Sequence, residues 1–319
     1  VAVLVLALGI GATTAIFTLV DSVVLSPLPF DDPESLIAVQ HAAPGRGMDD
    51  VGQCAAWHFT YVDEAQSFEN LGMFTGSTVS VTGRGDPEAL PALRLTPGVL
   101  SAIGVTPLVG RNFTEEDADP DGPARIMLAE GYWQSRFGAD PNVAGQTIQV
   151  EGTTVEIVGV LPRDIRALGY EPSIIVPLRF RRSNLFVGNI GYDAVARLRE
   201  GVTMEEAQAE LSQIMPQAWE KFPGGPVASS SRPESYRVDL RPLRTDLVGP
   251  VANLLWILLG GVSMVLLIAC ANVANLFLVR AEGKDSEMAV RAAMGASNRR
   301  ITWEYLKESV LLGIMGGVA

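Results

Sequence analysis

The sequence predicts an α+β architecture in which transmembrane helices flank a mixed α/β domain outside the cytoplasm. Three observations carry that expectation. Residues 1–20 and 247–279 contain no charged side chain. Residues 31–246 hold 18 Lys/Arg and 30 Asp/Glu, so the chain's whole net charge of -12 falls there. Short β-branched runs alternate with amphipathic helical stretches within the same segment. The bulk composition is thus an average over two kinds of segment. Charged residues make up 19% of the 319 residues, below the roughly 25% usual for soluble chains.

The first apolar run, residues 1–20, continues through Ile16, Phe17, Leu19 and Val20. A signal-peptide core is only about 7–15 residues long, so residues 1–26 read as a membrane span. The run 251–279 has 29 residues, and as a helix it would extend about 43 Å against roughly 30 Å of hydrocarbon. The second span is placed at 247–280, and residues 309–319 read as the start of a third. Arg280, Lys284, Arg291, Arg299, Arg300 and Lys307 follow the second run. Short flanks rich in Lys and Arg stay in the cytoplasm, which puts 281–308 inside and 27–246 outside.

Within 27–246 the expected elements follow in order. Pro27 and Pro29 end the first helix, and residues 36–40 read as a strand. Residues 41–50 read as a loop, 55–67 as a short helix, and 79–81 and 93–96 as strands. Residues 125–128 form an apolar strand. Residues 129–137 form a helix stopped by Gly138 with Pro141 beyond. Residues 147–150 and 154–160 flank Glu151-Gly152, a hairpin signal. Residues 174–177 and 194–198 are further strands. Thr203 and Glu206 fit a capping box, and Met204, Ala207, Leu211 and Met215 share one face of the helix that follows. A Gly/Pro/Ser linker at 222–233 precedes a last strand at 236–243.

Chemistry is sparse. The acidic segment excludes the usual basic nucleic-acid reader, so no nucleic acid is expected as a partner. Two cysteines exclude a disulfide scaffold. Cys54 and Cys270 fall in different segments, and both are expected as free thiols. His41 and His58 show no metal-site spacing. Gly283-Lys284 is followed by Asp285 and makes no phosphate loop. Glu115, Glu116, Asp117, Asp119 and Asp121 lack the EF-hand pattern and read as a solvated loop. No cofactor, no metal and no catalytic residue are expected.

Residues 287–301, EMAVRAAMGASNRRI, carry a short apolar stripe edged by arginines. By periodicity alone they fit a membrane-surface helix or a partner-docking helix. Glu287, Met288, Ala289, Val290, Arg291, Ala293, Met294, Gly295, Ala296 and Ser297, directly after a span, resemble the FtsX/MacB-type permeases of ABC transporters. The opening LALGIGATTAIFTLVDSVVLSPLPF resembles the first span of that family, its wording being most similar to the acidobacterial-type duplicated orphan permeases. The stretches LTPGVLSAIGVTPLVGRNFTEEDA, GYWQSRFGADPNVAGQTIQVEGTTVEIVGVLP and ARLREGVTMEEAQAEL resemble the MacB-like periplasmic core domain.

The resemblance implies a non-catalytic, multi-pass permease subunit of the bacterial inner membrane, its large domain in the periplasm. A separate cytoplasmic ATPase would drive it through a coupling helix containing Glu287, Met288, Val290, Arg291, Met294, Gly295 and Ser297. It implies a porter-like part at 31–100 and 191–245, interrupted by a strand-rich sabre-like part at 101–190. It also implies a homodimer or pseudo-dimer through the spans and a periplasmic adaptor as a candidate partner. Gly11, Ala15, Gly260, Gly261, Asn272 and Asn275 offer small or polar packing faces for the spans. The competing expectation is a two-span sensor whose outer domain binds a ligand.

Overall fold

The computed structural model describes residues 2–82, 86–225 and 232–282, with Trp303 and Lys307. The chain divides into one unit at 27–247 and another comprising 1–26 and 248–319.

In the 27–247 unit, β1 (Leu36–Ala42) is buried along its whole length. Its alternate side chains enter two different cores, Leu36 and Ala38 one and Ile37 and Val39 the other. A strand covered on both faces loses the polar half of its alternation, which explains why LIAVQHA reads as nearly continuous apolar sequence. Antiparallel neighbours flank β1: β10 (Arg237–Pro242) on one side and β9 (Asp193–Leu198) on the other. One face is covered by α2 (Ala55–Glu64), α6 (Met204–Ile214) and α7 (Gln217–Lys221), with Trp57, Tyr61, Leu211 and Ala218 at 0–1% exposure. The expected capping box starts α6. Thr203 N donates to Glu206 Oε2 at 2.9 Å, and Glu206 N donates to Thr203 Oγ1 at 3.2 Å.

The long strand β2 (Phe68–Thr82) joins the two ends of the sheet. Its first half pairs with β9 and its second half with β3 (Glu88–Leu95). From there the order runs through β8 (Ile174–Pro177), β5 (Arg125–Ala129), which leads into α5 (Glu130–Phe137), and β7 (Thr153–Leu161) to the short β4 (Val109–Gly110). Strand β6 (Thr147–Val150) pairs with both β7 and the end of β2. The pairing β2-β3-β8-β5-β7-β6-β2 is therefore a closed ring. Val79, Ala92, Ile126, Ile148, Ile157 and Ile174, one from each strand, pack together in a single apolar cluster. Closure removes free edges that would otherwise recruit other strands. The ring draws β2 and β3 from before residue 101, so the parts expected at 31–100 and 101–190 share one sheet.

The hairpin between β6 and β7 turns at Glu151 and Gly152, with φ of 53° and 74°. Two consecutive positive φ values match the right-handed twist of the strands. Helix α3 (Pro97–Ile103), which the sequence reading missed, crosses β2 so closely that neither Gly72 nor Gly98 has room for a side chain. A Cβ on Gly72 would lie 2.1 Å from Val99 N, and one on Gly98 2.1 Å from Leu71 O.

In the other unit, α1 (Ala2–Val20) runs into a π-helical turn at Asp21–Leu25. Helix α8 (Leu243–Glu282) has 40 residues and begins directly after Pro242, its residues 243–247 belonging to the 27–247 unit. The last strand ends at that proline rather than at Leu243, because proline can open a helix but cannot donate to a ladder. Val3–Leu25 and Val251–Leu276 are long and apolar enough to cross a membrane.

Candidate functional sites

The membrane helices present the first site. Leu4, Leu8, Ile257, Met264 and Leu267 are each more than 60% exposed. Such a surface suits hydrocarbon rather than water. A Cβ on Gly9 would lie 2.9 Å from Leu266 Cδ1, so Gly9 marks close helix approach within this unit. Gly11, Gly260 and Gly261 have nothing within 4 Å of a hypothetical Cβ. Ala15, Asn272 and Asn275 are exposed. Among the described residues, the six expected packing residues thus lie on exposed surfaces. The expected coupling residues Glu287, Met288, Val290, Arg291, Met294, Gly295 and Ser297 lie outside the described residues.

The second site corrects an expectation. The acidic stretch after Thr114 is not simply a solvated loop. It forms α4 (Glu115–Ala118), and Asp117 has no exposed surface. Its carboxylate accepts from Arg111 Nη1 at 2.6 Å, Arg125 Nη1 at 2.8 Å and the Thr114 backbone N–H at 2.7 Å. Burial pushes the Asp117 pKa up, but the hydrogen bonds from Arg111, Thr114 and Arg125 outweigh it and hold the group well below the usual carboxylate range. Arg179 donates to the carbonyls of Asp117 and Gly122 at 3.0 and 3.1 Å, fastening the same loop from the far side. Composition pointed to five like charges. The convergence of Arg111 and Arg125, six and eight residues from Asp117, and of Arg179, 62 residues away, on this one turn was not legible.

A cleft of about 600 Å³ lies beside this loop. Phe59, Leu71, Leu178 and Phe180 supply its apolar wall, and Glu115 and Asp121 line it as well. Arg181 pairs with Asp121, and Arg182 lies 2.9 Å from Asp63 and 4.5 Å from the centre of the Phe59 ring. Among the described residues, no group of three or more His, Cys, Asp or Glu is placed to hold a metal ion.

Both histidines are core residues. His41 Nε2 lies 2.8 Å from Tyr61 Oη, and Nδ1 lies 3.1 Å from the Gly52 carbonyl. The ring stacks on Trp57 at 4.2 Å. Burial lowers His41 to about 3, and burial together with the nearby Arg182 charge lowers His58 to about 3. Burial raises the Cys54 thiol to about 11, which keeps it protonated and unreactive at neutral pH. Cys54 and Cys270 are both free, as expected.

The histidines predict an acid response. In the unfolded chain each imidazole takes up a proton near 6.5, whereas in the fold it stays neutral down to about 3. The stability tied to the neutral rings is fully present above 6.5 and drains away as the pH falls below it. Chemical denaturation at a series of pH values is expected to show a midpoint falling over that window. His58→Phe is expected to flatten the slope. An unchanged slope in that variant would remove His58 from the account.

The third site is the root of α8. Asp246, in its first turn, accepts from Gln40 Nε2 at 3.3 Å and lies 3.5 Å from Arg241 Nη1. Arg241 also reaches Asp239 at 2.6 Å and Asp50 at 3.4 Å. Asp193 accepts from Tyr170 Oη at 2.7 Å.

A mixed α/β domain inserted between two helices of membrane-spanning length defines a membrane protein with a large extramembrane domain. The comparisons narrow the class. The model of the MacB-like periplasmic core domain matches residues 1–214, and that of the FtsX-like permease C-terminal region matches 260–319. The chain belongs to the family of ABC transporter permeases with a MacB-like periplasmic core domain.

It is 25% identical over 219 residues to the macrolide export ATP-binding/permease protein MacB of Bdellovibrio bacteriovorus, covering 67% of this chain and 32% of the relative. It is 24% identical over 222 residues to the pyoverdine export ATP-binding/permease protein PvdT of Pseudomonas entomophila, covering 68% and 32%. The chain thus spans about a third of the length of the curated relatives it matches. The periplasmic region of MacB from Actinobacillus actinomycetemcomitans is similar at a TM-score of 0.46 and 12% identity, over 64% of this chain and 88% of that one. A domain of a putative permease from Porphyromonas gingivalis is similar at 0.49 and 17%, over 67% and 92%.

Proposed function

We propose that this chain is the permease part of a MacB/FtsX-like ABC transporter. In this reading a cytoplasmic ATPase moves the spans, and the spans pass that motion to the domain at 27–246. The observation that carries it is the order of the two family matches. The core domain at 1–214 is followed by the FtsX-like region at 260–319, each overlapping one of the two apolar helices. Two relatives are named for export, one of a macrolide and one of pyoverdine, and export or a related envelope process is the proposed use of the motion. The sensor reading is not favoured, because residues 260–319 match a permease region where a sensor would continue into a signalling domain.

The proposed coupling element is 287–297, with Arg291 and Glu287 supplying ion pairs to the ATPase. The exposed faces carrying Gly11, Ala15, Gly260, Gly261, Asn272 and Asn275 are proposed to pack against further spans or a second copy. Small residues let helix backbones approach where water supplies no driving force.

The test is recovery of the ATPase with the full-length permease from solubilised membranes. Arg291→Glu is expected to weaken recovery by about tenfold, the order of one interfacial charge pair. It should also abolish stimulation of ATP hydrolysis. Wild-type recovery together with wild-type stimulation would overturn the coupling assignment.

A further inference from the structure

The root of α8 holds an unusual polar pair. Gln40, in the middle of β1, is only 3% exposed. Its Nε2 donates to Asp246 Oδ2, but its Oε1 is buried without a partner. A buried acceptor without a partner has lost its hydrogen bonds to water and gained none in return, so a donor there would be stabilising. An ionised carboxylate accepts hydrogen bonds and cannot donate; a protonated one does both.

We propose that Asp246 and Gln40 form a proton-operated latch that fastens the first turn of α8 to β1 and closes when the Asp246 carboxyl takes up a proton. The proton comes from solvent and binds one carboxylate oxygen, taking the side chain from -1 to neutral. The new O–H then donates to Gln40 Oε1 while Gln40 Nε2 continues to donate to the other oxygen. The result is a cyclic acid–amide pair with two hydrogen bonds and no orphan.

The surroundings favour that proton. Four carboxylates, Asp50, Asp193, Asp239 and Asp246, gather here, and Arg241 is shared by three of them. Asp239 holds Arg241 most closely, through Nε at 3.0 Å and Nη2 at 2.6 Å. Ionised Asp246 therefore competes for a guanidinium already engaged. Burial raises the Asp246 pKa; Gln40 and Arg241 oppose the shift, while Asp50 and Asp193 add to it. Asp193 is itself raised by burial, against the hydrogen bond from Tyr170 and with Asp50 adding to it. A carboxyl that binds its proton more tightly when docked than when solvated makes docking tighter as the pH falls through its raised pKa. This sign is opposite to that of the buried histidines, which loosen the fold on acidification.

The test is amide hydrogen exchange of the full chain in phosphatidylcholine nanodiscs, corrected for intrinsic rates. It would be followed at the first turn of α8 between about pH 7.5 and about pH 4, into the ordinary carboxylate range. In the wild type, protection there is expected to rise severalfold as the pH falls into that range, towards a limit of about tenfold for each pKa unit of difference between docked and undocked carboxyl. Asp246→Asn keeps the shape and supplies a permanent donor, so its protection is expected to be high and flat. Gln40→Leu should be low and flat. Protection at β5 and β7 in the same digest reports that each variant is folded; if Gln40→Leu is not, Asp246→Asn decides alone. A flat or falling wild-type profile, or a wild-type pH dependence in Asp246→Asn, would overturn the latch.

Discussion

Asp117→Ala is expected to lower the unfolding free energy of the 27–247 unit by about 2–4 kcal/mol. The side chain has no exposed surface and serves two guanidiniums and the start of α4 together. Removing it leaves Arg111 and Arg125 facing each other without their shared counter-charge and uncaps α4. The figure sits at the low side of the range for buried pairs because Arg111 is 42% exposed and water can reach it. Urea denaturation followed by tryptophan fluorescence measures the change. Asp117→Asn, which keeps the shape and one acceptor, should fall between the two. The carboxylate's contribution is present at and above the ordinary carboxylate range and is lost only below it, because its folded pKa is depressed. A loss under about 0.5 kcal/mol, the usual size of surface substitutions, would show the cluster to be structurally idle.

Gly72→Ala is expected to cost about 3 kcal/mol, at the upper end of overpacking effects. The added Cβ would meet the Val99 backbone N at 2.1 Å and its Cα at 2.5 Å. Main chain on both sides cannot move aside as the far end of a lysine would. Gly98→Ala meets Leu71 O and C in the same way and should behave alike, and the pair should be strongly non-additive because both separate the same crossing. Gly45→Ala, with nothing within 4 Å of its Cβ, is the control and should be near neutral. Thermal unfolding of the three variants side by side checks the ranking. A Gly72→Ala protein as stable as the Gly45→Ala control would mean that α3 does not cross β2 at this point.

The same glycines explain what was hard to read. Strand β2 covers Phe68–Thr82, but only residues 79–81 were legible as strand. Gly72 and Gly76 lower any local strand signal. They are needed because α3 crosses at one and the Tyr170 ring at the other, where a Cβ would lie 2.4 Å from Cε1. Local propensity was sacrificed to tertiary packing, and a reading based on propensity missed the strand for that reason. The acidic run 115–121 was misread in a related way, since its counter-charges arrive from Arg111, Arg125 and Arg179. By contrast, the β6–β7 hairpin, the α6 capping box and both apolar helices were legible, because each is specified by residues within a few positions of one another.

The division follows the range of the forces involved. The two apolar helices, the confinement of net charge to 31–246 and the local turns and caps are specified by the linear order of residues alone, since hydrophobic length and neighbouring hydrogen bonds need no partner from elsewhere. That six strands close into a ring, that Asp117 is buried between two arginines and that Gln40 meets Asp246 emerges only in the assembled fold. These pairings join residues as far apart as 206 positions. Such contacts repay the loop entropy they cost only through burial, and burial is a property of the assembled fold.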